Sequence, residues 1–106
     1  MIREFIAEFL GTFIFLGVIL VAVDGTKACS MERSQAYLRI GLALSIAIVL
    51  VGSISGGHLN PAVSFMFYLK NDLKTPELVV YICAQLLGAA CAFGTYYYMH
   101  EMKSPR

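Results

Sequence analysis

Charge is scarce in this sequence. Its 106 residues include eight Lys/Arg and seven Asp/Glu, 14% in all, against about 25% in an ordinary soluble domain. No charged residue occurs from Phe9 to Val23, from Ile40 to Leu69 or from Leu78 to Met99, windows of 15, 30 and 22 residues. A small water-soluble globule needs polar residues to cover a surface that is large for its volume, so that class is excluded. The net charge of +1 comes with no basic patch, which argues against nucleic acid as a partner. Cysteine is rarer still: Cys83 and Cys91 fall inside an apolar window and Cys29 stands alone in a polar loop, so no disulfide framework is indicated. No second His, Cys or Asp stands at ligand spacing from His58, and no nucleophile–base pair or phosphate loop is present. Neither an enzyme nor a metal or other cofactor is implied.

What is present is apolar sequence, 58% of the chain, with a mean hydropathy of +0.72. The first reading is an integral, multi-pass membrane protein whose surroundings are the lipid bilayer. A helix rising about 1.5 Å per residue needs about 20 residues to cross a hydrocarbon core of about 30 Å. Spans are expected at about 4–23, 39–54 and 76–99, with Pro76 suited to a helix start. A cleavable leader fits the beginning poorly, because Arg3 is followed at once by Glu4 and Glu8 and the apolar run ends at Val23-Asp24-Gly25.

The middle window is the informative one. Thirty uncharged residues make a helix of about 45 Å, too long for one span and too short for two. Its centre, Ser53-Ile54-Ser55-Gly56-Gly57-His58-Leu59-Asn60-Pro61, is full of helix breakers. The expected solution is a span to about Gly52, a return loop over 53–59 and a half-helix from Pro61 to about Leu69, the re-entrant unit covering about 53–69. Asn60 suits the N-cap and Pro61 the first helical position. The sequence thus predicts an all-α membrane protein, three transmembrane helices plus one re-entrant half-helix, in a single domain over residues 1–106. Irregular backbone at membrane depth survives only where protein buries it or a watery cavity meets it, and that constraint makes the loop a pore candidate.

A half-helix N-terminus brings roughly half a positive charge and unpaired N–H groups into the membrane. Asn60 adds an amide with two donors, and the carbonyls of Gly56, Gly57, His58 and Leu59 would supply acceptors along the same path. Alternatively, Asn60 only caps a buried helix. Glu8, an acid inside a span, is a functional candidate by default. It either titrates as a proton-coupling group or stays fixed, accepting N–H bonds from the bent loop. Gln85 could do similar supporting work or merely bond a neighbouring helix. His58 reads as a hydrogen-bonder that orders the loop. Ala84, Gly88 and Ala92, like Gly41 and Ser45, are small residues at helix-packing spacing.

The run Ser55-Gly56-Gly57-His58-Leu59-Asn60-Pro61-Ala62-Val63 resembles the first Asn-Pro-Ala signature of the aquaporin (major intrinsic protein) family. Ala7-Glu8-Phe9-Leu10-Gly11-Thr12 resembles that family's first-helix motif, and Tyr81-Ile82-Cys83-Ala84-Gln85-Leu86-Leu87-Gly88-Ala89 its third-helix motif. The three occur in family order over nearly the whole chain. The resemblance implies a channel for water or small neutral solutes such as glycerol, with Asn60, Pro61 and Ala62 at the central donor site. Glu8 and Gln85 would support the loop, and Gly56 to Leu59 would form the carbonyl ladder.

Family members have two such halves in inverted topology, whereas these residues carry one. Where the family's second signature is usually followed by arginine, Val63 follows Ala62. Ile40 falls at a constriction position that is usually Phe in water-selective members, and Ile48 aligns with a histidine position of the second half. If two copies pair antiparallel, Ile40 of one and Val63 of the other would line each mouth, joined by Ile48, an apolar ring without a cation that would admit larger neutral solutes. One copy cannot enclose the family's pore, so a second inverted half is expected, from antiparallel self-association or a partner chain. Arg3, Lys70 and Lys74 would lie on one side and Lys27, Arg33, Arg39, Lys103 and Arg106 on the other, a bias weak enough to permit mixed insertion. Two other readings remain: a small proton-coupled exporter, which would use Glu8 and need four full spans, and a non-conducting truncated assembly partner.

Overall fold

A computed structural model describes residues 1–24 and 30–103, all helical or in short connections. The helices are α1 (Ile2–Asp24), α2 (Ser30–Ser55), α3 (Pro61–Leu69) and α4 (Thr75–Lys103). Three of them, Ile2–Asp24, Glu32–Ser55 and Thr75–Met102, are long and apolar enough to cross a membrane. α1 packs against both α2 and α4, and α3 lies against α4. The face where α1 begins and α3 ends is called the near face here, and the face where α1 ends the far face.

The three-span, one-half-helix architecture matches the sequence reading, and α3 has the predicted bounds. The long helices overrun their predicted limits because polar ends project past the apolar windows. α2 begins nine residues before Arg39, in a segment that is exposed through Tyr37 and Leu38. Its other end is a correction: Ser53, Ile54 and Ser55 continue the helix instead of starting the return loop. The serines do not break it: the Ser55 hydroxyl gives its one proton to the Glu8 carboxylate at 2.6 Å, and the Gly56 N–H closes the last turn on the Gly52 carbonyl at 2.9 Å. The break falls at Gly56 (φ 89°) and Gly57 (φ 64°), which enter the left-handed region open to glycine.

Capping fixes both ends of α3 and the start of α4. Asn60 is extended (φ −159°, ψ 125°) and its Oδ1 accepts the Ala62 N–H at 2.8 Å, with Pro61 opening the helix. α3 closes with Lys70, Asn71 and Asp72 N–H groups donating to the Met66, Tyr68 and Phe67 carbonyls, Asn71 taking positive φ. Glu77 then reaches back to the Lys74 N–H at 3.0 Å and starts α4.

Helix contact depends on small residues, as membrane packing requires where lipid competes equally for apolar side chains. Ala84 and Ala92 are buried on α4, and a Cβ built on Gly88 would stand 2.8 Å from the Phe9 carbonyl oxygen of α1. The Gly41/Ser45 pair does not pack this way. A Cβ on Gly41 meets nothing, and Ser45 Oγ bonds the Gly41 carbonyl within its own helix. Cys83 and Cys91 are exposed on α4, while Cys29, Lys27 and Arg106 lie outside the described residues, as does the Lys103 side chain.

Replacing Gly88 by Leu should therefore separate α1 from α4. Unfolding in mild detergent is expected to show a loss of about 1–3 kcal/mol. Gly94→Leu, whose Cβ meets nothing, should stay within about 0.5 kcal/mol of the parent. Equal effects of the two would refute the close crossing.

Candidate functional site

The return loop 56–60 has lost the intrahelical partners of its backbone, and its polar groups must find others inside the membrane. Glu8 supplies them. It is fully buried on α1, and its carboxylate accepts four hydrogen bonds. Oε2 takes the His58 N–H at 3.0 Å and the Ser55 hydroxyl at 2.6 Å. Oε1 takes the Leu59 N–H at 2.8 Å and the Gln85 amide at 2.7 Å. Charge-assisted bonds of this kind are about twice as strong as neutral ones, and four of them replace the water that the carboxylate loses.

A second layer holds the first. The Gln85 Nε2 also donates to Ser64 Oγ at 2.9 Å, and Ser64 Oγ lies 2.9 Å from His58 Nδ1. Gln85 thereby uses both amide protons. The network is satisfied when Ser64 gives its own proton to Nδ1 and the His58 ring carries its proton on Nε2. That ring stacks on Phe67 of α3 (4.7 Å) and lies against Tyr81 of α4 (4.9 Å). Tyr81 in turn donates to the Ser55 carbonyl at 2.7 Å, pairing a group at the open end of α2. Gln85 Oε1 and Thr12 Oγ1 are buried with no hydrogen-bond partner among the described residues.

The structure thus brings Glu8, Gln85, His58 and Leu59 into one cluster. Leu59 enters it through its backbone; its side chain is 3% exposed and packs with Ala7, Ala47 and Val51. Leu59 also takes a positive φ of 56°, a strained conformation for a non-glycine residue. Gly57 is pressed against α2, where a Cβ would come within 3.3 Å of Ile48 Cα. Asn60 and Ala62 are exposed at the top of α3 and Pro61 is half-buried. With its Oδ1 engaged by Ala62, Asn60 retains two Nδ2 donors for another acceptor. Ile40 and Ile48 lie on α2, roughly 12 Å apart along the helix axis, and Val63 is half-buried in the first turn of α3. Ser55, Ser64 and Tyr81 are members that sequence reasoning missed. Helical spacing held the signal for two of them, since Ser64 follows Asn60 by four residues and Tyr81 precedes Gln85 by four.

The described residues contain no cluster of His, Cys, Asp or Glu able to hold a metal ion. The arrangement is a fixed acceptor under a bent backbone, with exposed neutral donors at the head of a half-helix.

The comparisons with known proteins agree with this geometry. The family described as major intrinsic protein matches residues 1–105. Aquaporin-2 of Rhizopus delemar is 37% identical over 91 residues, covering 82% of this chain and 28% of its own length. Aquaporin-10 of Homo sapiens is 35% identical over 106 residues, 93% of this chain and 34% of the relative. Glycerol uptake facilitator protein-like 6 of Lactiplantibacillus plantarum is 36% identical over 92 residues, 85% of this chain and 40% of the relative. The chain therefore spans between 28% and 40% of the length of these relatives.

Glu8→Gln should loosen the loop, because one acceptor oxygen becomes a donor facing donors. Each buried group left unpaired costs about 1–3 kcal/mol, so denaturant unfolding should show a loss of that size. Cleavage by an added protease should appear near Gly56-Gly57. Unchanged stability and an uncut loop would contradict the cluster's role.

Proposed function

The chain belongs to the major intrinsic protein family, and from that premise we propose that it forms one half of a passive membrane channel for water or small neutral solutes. It is an integral membrane protein of a channel family and not an enzyme. The observation that carries the proposal is the Gly56–Asn60 turn, held within a bundle of membrane-spanning helices by Glu8 while Asn60 faces outward with unengaged donors. Such donors hydrogen-bond the oxygen of water or a polyol, and the positive end of α3 opposes a proton or cation. The carbonyls of Gly56, Gly57, His58 and Leu59 provide the acceptors leading to Asn60. The names of the relatives, aquaporin and glycerol uptake facilitator, support both solute classes.

The pore wall is completed by a second, inverted half. In that assembly Ile40, Ile48 and Val63 contribute an apolar constriction, which favours glycerol as well as water. The proton-coupled exporter is supported less well. Its four full spans are not found among the described residues, which contain three, and the Glu8 carboxylate is occupied by four donors.

Stopped-flow light scattering of vesicles containing only this polypeptide tests the reading. Osmotic shrinkage in sorbitol should exceed that of protein-free vesicles, and glycerol should then re-enter. Asn60→Asp, which replaces the neutral donor with a carboxylate, should slow the flux about tenfold, the effect of one lost hydrogen bond on the permeation barrier. Background permeability from a folded, assembled protein would support the non-conducting partner instead. Fast water flow with glycerol excluded would refute the apolar wide constriction. Proton-driven export lost in Glu8→Gln, without osmotic flux, would favour the exporter.

A further inference from the structure

At the far face α1 and α4 part, leaving a cleft of about 490 Å³ that none of the loop machinery uses. It runs along α1 from Phe13 to Asp24, roughly 16 Å of helix, the depth of one leaflet's hydrocarbon. Its volume lies within the range of small-molecule sites. Gly17 lines it, and a Cβ built there meets nothing within 4 Å, so the cleft has room at this point for an added group. Polarity is graded along its length. Phe13, Gly17 and Ala92 line the deep part, whereas Asp24, Tyr96 and His100 stand near the ends of α1 and α4. Asp24 shares the cleft lining with Tyr96, whose ring stacks on His100 at 5.8 Å, so the carboxylate stands beside an aromatic wall.

We propose that this cleft holds one phospholipid of the far-face leaflet, an acyl chain lying along Gly17 and a primary-ammonium headgroup docked at Asp24. The apolar floor, one leaflet deep, takes a single chain and the anionic end takes the cation. The Tyr96–His100 face adds a surface to which an ammonium group is attracted. At the cleft itself a headgroup with net negative charge meets the Asp24 carboxylate and is disfavoured there relative to one that presents an ammonium group. This binding is separate from conduction and does not depend on the channel reading.

The test is lipid retention. The protein is reconstituted in nanodiscs of equal phosphatidylethanolamine and phosphatidylglycerol, transferred to detergent and examined by native mass spectrometry. Phosphatidylethanolamine should be retained over phosphatidylglycerol by about fivefold, the scale of one exposed charge pair. Asp24→Asn should remove that preference while leaving total retention. Gly17→Leu should abolish retention, and Gly94→Leu, equally open but away from the cleft, should not. Equal retention of the two lipids by the parent, or full retention by a folded Gly17→Leu, would overturn the proposal. So would efficient disulfide crosslinking of Gly17→Cys to a second copy, which would mean that protein fills the cleft.

Discussion

The structure depends on one carboxylate. A chain that turns inside a membrane exposes N–H and C=O groups where water is not freely available, and each unpaired group costs several kcal/mol. Glu8 meets that requirement from a neighbouring helix, accepting two loop amides, a serine hydroxyl and a glutamine amide. Burying an acid is itself costly, and the four donors are what make it tolerable. Each side of the arrangement therefore stabilises the other. The loop needs the acid, and the buried acid needs the loop.

The surrounding sequence makes that meeting sterically possible. Gly56 and Gly57 supply the backbone reversal, and Gly57 allows the loop to lie against Ile48 of α2. Gly88 lets α4 approach the α1 backbone, which carries Gln85 to within 2.7 Å of Glu8. Gln85 then reaches Ser64, Ser64 reaches His58, and His58 is clamped between Phe67 and Tyr81. Residues from all four helices thus fix the position at which Asn60 begins α3. In the proposed channel, a neutral donor placed in this way would help strip water from a small polar solute without offering a site to an ion.

Much of this was legible in the sequence because membrane length and helix punctuation are strong local signals. Thirty uncharged residues interrupted by Gly-Gly-His-Leu-Asn-Pro had few solutions, and Asn60-Pro61 marked the start of α3 to the residue. Glu8 was conspicuous as an acid in an apolar span. The end of α2 was not legible, since Ser53 and Ser55 suit loops as well as helices and only the tertiary bonds of Ser55 to Glu8 and Tyr81 decide between them. Ser64 and Tyr81 went unnoticed for a related reason. They are ordinary residues in apolar helices until packing brings them to Gln85 and to the end of α2. Gly41 and Ser45 show the opposite case, a packing pattern that meets no neighbouring helix among the described residues.

The claim that Glu8 pins the return loop is tested most directly by residue-resolved amide hydrogen exchange of the protein in lipid bilayers. If the account is right, the His58 and Leu59 amides exchange as slowly as those in the middle of α1. Exchange of those two amides at the rate of freely hydrated backbone would show that the loop is not held, and would contradict it.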